Sequence, residues 1–292
     1  LASFGLGKIG AIVSVGDPLF CEVPDELATL ISLAPGVPLD FEVLVIAPDP
    51  STLASAAAAL EGAGSNVRFA GWKDFADGAL GGRTAALHEP FSDDPGNRGI
   101  MRLVRPHAKE MARACLGLGG AVALHAIGDR ANDAVIDLFA ELEHVSGGLR
   151  VEHASVLTPA ARRRMASLGV TASVQPSFIT SEVDWLAKRL GPRVEHTYAL
   201  VEMEEEGIAL LGGSDCPVES PNPWEGMEAG LVGGLGPRSA YHLYGPSLQV
   251  GAPANVIVLD RDPMAPGVKD TKVMASYRHG QPLELSTPKP FV

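Results

Sequence analysis

The sequence predicts an α/β fold, and among α/β folds a TIM (β/α)8-type barrel, on three observations. Short runs rich in Val, Ile and Ala alternate with amphipathic or alanine-rich helical stretches. Most of the runs are apolar on both faces, the pattern of parallel strands covered on both sides. Polar and titratable residues stand at or near the C-terminal ends of four different runs: Lys73, His125, His153 and Asp215. Alternation alone admits a doubly wound sheet as well as a barrel. The third observation separates them, because barrel strands deliver their C-terminal ends to one mouth, whereas an open sheet spreads them along an edge.

Taken in order, strands are predicted at residues 9–15, 41–47, 67–75, 121–125, 149–153, 170–175 and 208–213. Helices are predicted at 51–62, 105–118, 131–145, 159–168 and 200–206. Asp49-Pro50-Ser51 and Thr158-Pro159 place a capping side chain ahead of a proline, the arrangement that opens a helix. The seven strands are one short of a closed barrel. After them the pattern changes. Residues 248–260 and 273–283 are β-prone with no helix between them, and read as strands of a small separate β unit, with His279-Gly280 as a turn.

Composition narrows the function classes. The chain has 292 residues, 46% of them hydrophobic, enough for a large core in one barrel with a small appendage. Its 23 basic and 35 acidic residues give a net charge of −12, which argues against a nucleic-acid or anionic-membrane partner. Cys21, Cys115 and Cys216 lie far apart without CxxC spacing, a pattern expected in a reducing compartment. No apolar run reaches the roughly 20 residues of a membrane span, and no signal segment opens the chain. A cytoplasmic enzyme is the expectation. A nucleotide-binding reading would need a glycine-rich loop after an early strand; GLGKIG, at residues 5–10, precedes one instead.

The candidate chemistry is metal-centred. HAIGDRA and RVEHA each end an apolar run in an imidazole, a common ligand of zinc and related ions. Successive barrel strands would point His125 and His153 into one mouth. Asp215, in GGSDCP, follows another strand, where an aspartate can ligate a metal or take a proton from water. Taken alone, Asp215 reads better as an N-cap or turn residue. Lys73 sits in an apolar, aromatic strand, where a lysine is costly unless paired or modified. Burial favours its neutral amine, which can add carbon dioxide to give an anionic carbamate ligand. Lys73 snorkelling to the surface is the alternative.

Together the segments FADGALGGRTA, ALHAIGDRAND, VEHAS, SVQPSF and GGSDCPVESPNPW resemble the amidohydrolase superfamily, in the family 3-like branch that includes N-substituted formamide deformylases. The tail QVGAPANVIVLDRDPM resembles the segment that returns to the small β-sandwich of that family. The resemblance implies a barrel over residues 1–245 and part of a β-sandwich over 246–292. It implies Lys73 as a carboxylated lysine bridging two metals, His125 and His153 on the second metal, and Asp215 as ligand of the first metal and general base. Asp77, Arg83, Asp129 and Gln175 fall in matching motifs and would act on the substrate side or behind the ligands. The implied reaction is hydrolysis of a C–N bond, amide or formamide, by metal-activated water. Zinc is the expected ion, with iron or manganese as alternatives, in one or two copies. A small molecule would be the substrate and a homodimer the assembly. Deamination at the same centre and a catalytically inactive or fragmentary fold are the competing readings. The sequence departs from the family in lacking any HxH pair, which the first barrel strand would carry. The barrel is therefore expected to lack its first strand, with that strand and its histidines in sequence ahead of Leu1. The stretch 231–248 is also short for the family's helical connection.

Overall fold

The computed structural model describes residues 1–16, 25–64, 66–142, 148–245 and 249–284. Seven parallel strands form one sheet in chain order: β1 (Lys8–Ser14), β2 (Asp40–Ile46), β3 (Val67–Phe75), β4 (Ala121–Ala126), β5 (Leu149–His153), β6 (Thr171–Val174) and β7 (Leu210–Gly212). The sheet curls into a partial TIM barrel, and no eighth strand joins β7 to β1 among the described residues. The predicted strands at 67–75 and 149–153 coincide with β3 and β5, and the other five agree to within two residues at each end.

Ten helices lie among the described residues: α1 (Glu26–Leu33), α2 (Pro50–Gly62), α3 (Arg105–Gly117), α4 (Asp129–Ala140), α5 (Pro159–Ser167), α6 (Ser177–Ser181), α7 (Val183–Leu190), α8 (Leu200–Glu205), α9 (Pro223–Val232) and α10 (Pro237–His242), with α1 to α4 packed on the strands. The two proline-led starts cap as predicted. Asp49 accepts the amides of Ser51 and Thr52, and Thr158 accepts that of Ala161. The helix predicted at 131–145 is corrected at both ends, to Asp129–Ala140. It begins early because Gly128 is extended (ψ 154) and Asp129 can fill the first turn, where an acidic side chain favours the helix dipole. Residues 143–147 of that prediction lie outside the described residues.

Register decides which side chains meet. Lys73 pairs with Ala123, and Ala123 with Arg150; one step on, Phe75, His125, Glu152, Ser173 and Leu211 run across five strands. Residues paired across parallel strands share a face, so these line the inside of the curl. The alternate set, including Val122, Leu124, Val151 and Ala172, is fully buried beneath the helices. That outer layer is the main core, with Val43, Val45, Met111, Ile136, Phe139 and Met165.

The C-terminal unit is a three-stranded antiparallel sheet: β8 (Val256–Leu259), β9 (Val273–Arg278) and β10 (Gln281–Leu283). The strand predicted at 248–260 is confined to β8, since Gly251 and Pro253 interrupt any ladder ahead of it. His279 and Gly280 make the predicted turn, both with positive φ (50° and 76°), as a two-residue hairpin of type I′ requires. Arg278 ion-pairs with Asp40 at the start of β2, tying this sheet to the bottom of the barrel. Residues 246–248, at the predicted domain boundary, and Cys21 lie outside the described residues.

Candidate metal centre

The four predicted residues all belong to the C-terminal end of the barrel, with unequal support. Lys73 lies in β3, His125 in β4, His153 ends β5, and Asp215 follows β7. His125 and His153 are buried, and their rings meet edge to face with centroids 4.5 Å apart. Phe75 flanks the His125 ring at 5.3 Å, and Phe178 from α6 stacks on His153 at 6.2 Å. Aromatic walls keep water off the pair.

His153 reaches this position through its backbone. Strict alternation would place it opposite Glu152, on the helix side of the sheet. Instead His153 and Ala154 adopt left-handed φ values of 72° and 47°. Each such residue costs about 1–3 kcal/mol, a strain that persists where the surroundings impose it and that clusters at functional sites. Asp215 carries a third left-handed backbone, φ 56°.

Electrostatics keep both rings neutral. Burial, the neighbouring His153 and Lys73 push His125 far down. Burial and Lys73 lower His153 to about 3, against a hydrogen bond with Gln175. The Nδ1 of His153 is buried with no hydrogen-bond partner. An orphaned imidazole nitrogen beside a second neutral imidazole is a donor pair suited to a divalent ion.

Lys73 is 2% exposed, donates from Nζ to the Asp74 carbonyl at 2.9 Å and lies 3.6 Å from the Phe75 ring centroid. Burial lowers it to about 8, against the pull of Glu152, Asp74 and Asp215. A lysine snorkelling to the surface is thereby corrected: the ammonium stays inside. Asp215 lies on an exposed turn. Its carboxyl is pushed up to about 6 by desolvation, opposed by Lys73, and solvent access at the turn limits that shift.

Glu152 is the charged residue that sequence reasoning passed over. It is buried, ion-paired with Arg150, and acts on Lys73, His125 and Asp215. Its signal was its place beside His153 in VEH, and the register sets it directly opposite His125.

The four motif residues divide. Asp77 is 1% exposed and accepts three backbone amides. Burial raises it to about 7 in spite of them. Gln175 is buried beside His153, donating to the Ser173 carbonyl at 3.1 Å. Asp129, the first residue of α4, accepts the amides of His88 and Arg130 and so ties the helix start to the loop after β3. Arg83 pairs with Asp93, which also pairs with Arg189 from α7, so Asp93 ties the loop after β3 to α7.

The donors fit a metal only in part. Among the described residues, no three His, Cys, Asp or Glu side chains converge closely enough to hold an ion. The two imidazoles are in place, and any third ligand has to be Lys73 in modified form or a group brought to them.

Residues 3–247 match the model of a family described as the amidohydrolase family. The Bacillus subtilis protein YtcJ, whose name assigns it to the amidohydrolases, is 35% identical over 186 residues, 63% of this chain and 34% of that protein. The N-substituted formamide deformylase of Arthrobacter pascens is 26% identical over 196 residues, 56% of this chain and 36% of that enzyme. The crystal structure of an uncharacterized metal-dependent hydrolase from Pyrococcus furiosus superposes with a TM-score of 0.70 at 31% identity, over 83% of this chain and 51% of that one. The chain therefore spans about a third of these curated relatives and about half of the solved structure.

Proposed function

Because the chain belongs to the amidohydrolase family, we propose that its barrel mouth is part of a metal-dependent hydrolytic centre cleaving a C–N bond of the amide or formamide type. The observation that carries the proposal is the pair of buried, neutral imidazoles with an orphaned nitrogen between aromatic walls. In this reading residues 1–245 are the catalytic barrel and 246–292 belong to a small β-sandwich.

His125 and His153 would hold the ion, with Lys73 and Asp215 completing the donor set. Zinc is the first candidate, iron or manganese the alternatives, as one or two ions. When bound there, such an ion would supply Lewis acidity. Lys73, lowered to about 8, presents a useful fraction of neutral amine near neutral pH. Its Nζ can bond to the carbon of carbon dioxide and release a proton, leaving a carbamate oxygen as ligand. Asp215 accepts the proton of the attacking water and returns it to the leaving nitrogen. With its carboxyl raised to about 6, it is mostly ionised at neutral pH and more basic than an ordinary aspartate. Phe75 and Phe178 exclude competing water. Deamination would use the same groups and is told apart by products that contain ammonia but no new carboxylate.

A second reading, a catalytically inactive fold, is favoured by the absence of a three-ligand His/Cys/Asp/Glu set among the described residues. Zinc loading of metal-free chain under carbon dioxide discriminates. Stoichiometric retained zinc, a mass gain at Lys73 and release of formate from N-substituted formamides are expected. Protein that retains no zinc and turns over no amide would leave only the inactive reading.

A further inference from the structure

We propose that Asp77 is a positioning residue: by clamping the loop after β3 to the turn that opens α4, it fixes the tautomer and aim of the His125 imidazole. The inference rests on the reading of His125 as a metal ligand. Asp77 lies two residues beyond β3 and is too buried, at 1% exposure, to reach substrate. One carboxylate oxygen, Oδ2, accepts the amides of Ala86 and Gly128, both at 2.8 Å. Its Oδ1 accepts the amide of Ile127 at 3.0 Å. Three N–H donors from two separate segments converge on one carboxyl and favour its anionic form, against the burial that opposes it. Those segments approach so closely that a Cβ at Gly128 would fall 2.0 Å from the Ala86 carbonyl oxygen.

The clamp also fixes what faces His125. The carbonyl oxygen of Gly78, next in the chain, lies 3.0 Å from His125 Nε2, and Asp77 Oδ1 lies 3.4 Å from the same nitrogen. Two acceptors around Nε2 require that nitrogen to carry the hydrogen, leaving the lone pair on Nδ1. Groups behind a ligating histidine set its tautomer and orientation in this way. An asparagine at this position would be isosteric but wrong in either rotamer. Its NH2 would face the Ala86 and Gly128 amides, or else the Ile127 amide and His125 Nε2.

Asn132 supplies the comparison. It is fully buried and donates to the carbonyls of Ile127, Gly128 and Val156 at 3.3, 3.0 and 3.2 Å, bracing the same turn from its other side. No hydrogen bond links it to His125.

The test uses the metal-free full chain and two readouts: long-range 1H–15N spectra of the His125 ring, and zinc affinity by competition with a chromophoric chelator. The wild type should show the Nε2–H tautomer. Asp77→Asn should mix the tautomers and weaken zinc about 10- to 100-fold. Asn132→Ala should lower Tm yet keep the wild-type tautomer and zinc affinity. Wild-type protein in the Nδ1–H tautomer overturns the proposal without any variant. So does Asp77→Asn with tautomer and affinity unchanged, or Asn132→Ala reproducing both changes. Wild-type chain that binds no zinc sinks the metal reading instead, and the tautomer spectra still decide the role of Asp77.

Discussion

Strands β4 and β5 and strands β1 and β7 belong to one sheet and draw on the same residue types, yet their burial differs sharply. Val122, Ala123, Leu124 and Val151 in the centre are fully buried. Ile12 in β1 and Leu211 in β7 face the inside of the curl, in register with the central strands, and are 37% and 43% exposed. Central strands have a neighbour on each side, while β1 and β7 each lack one among the described residues. The candidate site follows the same division. Its two histidines come from the centre and are enclosed, while Asp215 comes from the β7 edge and lies on an exposed turn. A donor set assembled from one sheet is only as ordered as the strand that delivers each member.

The largest effect that would sharpen this contrast is loss of a central ligand. Replacing His153 with Ala should weaken zinc more than about 100-fold, beyond the effect of disturbing a residue behind a ligand. Asp215→Ala should cost zinc affinity far less while abolishing amide hydrolysis. Equal affinity losses for the two variants would break the contrast, and elemental analysis with chelator competition decides.

Core packing should divide likewise. Leu124→Ala in β4 should destabilise by about 2–5 kcal/mol, the cost of truncating a fully buried leucine. Leu211→Ala at the β7 edge should cost no more than about 1 kcal/mol, because much of that side chain already meets water. Urea unfolding measures both, and comparable values would mean that the β7 edge is covered in solution.

The smallest effect concerns the rim, where Glu182 between α6 and α7 hydrogen-bonds to Tyr198. Desolvation raises the Glu182 carboxyl, with Glu219 adding to the rise and Tyr198 opposing it. The folded state therefore holds the proton to higher pH than the unfolded chain. Stability from this group is fully present below the ordinary glutamate range and is lost as pH rises through the folded value. Glu182→Gln should flatten that part of the decline in urea midpoint. An unchanged slope would assign it to other groups.

Much of the barrel was legible because its signals are local. Apolar runs bounded by Gly, Asp or His located every strand of the large sheet, and Asp49-Pro50 and Thr158-Pro159 located two helix starts. The helices that escaped notice, α1, α6, α7, α9 and α10, are no longer than ten residues, and the last four pack on other helices and turns more than on strands. For α9 a signal did exist: Asn222 before Pro223, whose side chain accepts the Trp224 amide.

What the sequence determined by itself is the strand order, the parallel sheet and the candidates Lys73, His125, His153 and Asp215, since apolar periodicity and residue type are properties of the chain. Only the tertiary structure decided which of them meet. Left-handed backbone at His153 and Ala154 turns an imidazole toward His125 where alternation would send it away. Likewise Asp77 acquires its place from amides of Ala86, Ile127 and Gly128, contributed by two other segments. Positive φ in a non-glycine residue and a three-amide clamp are imposed by packing, and packing is set by residues far apart in sequence.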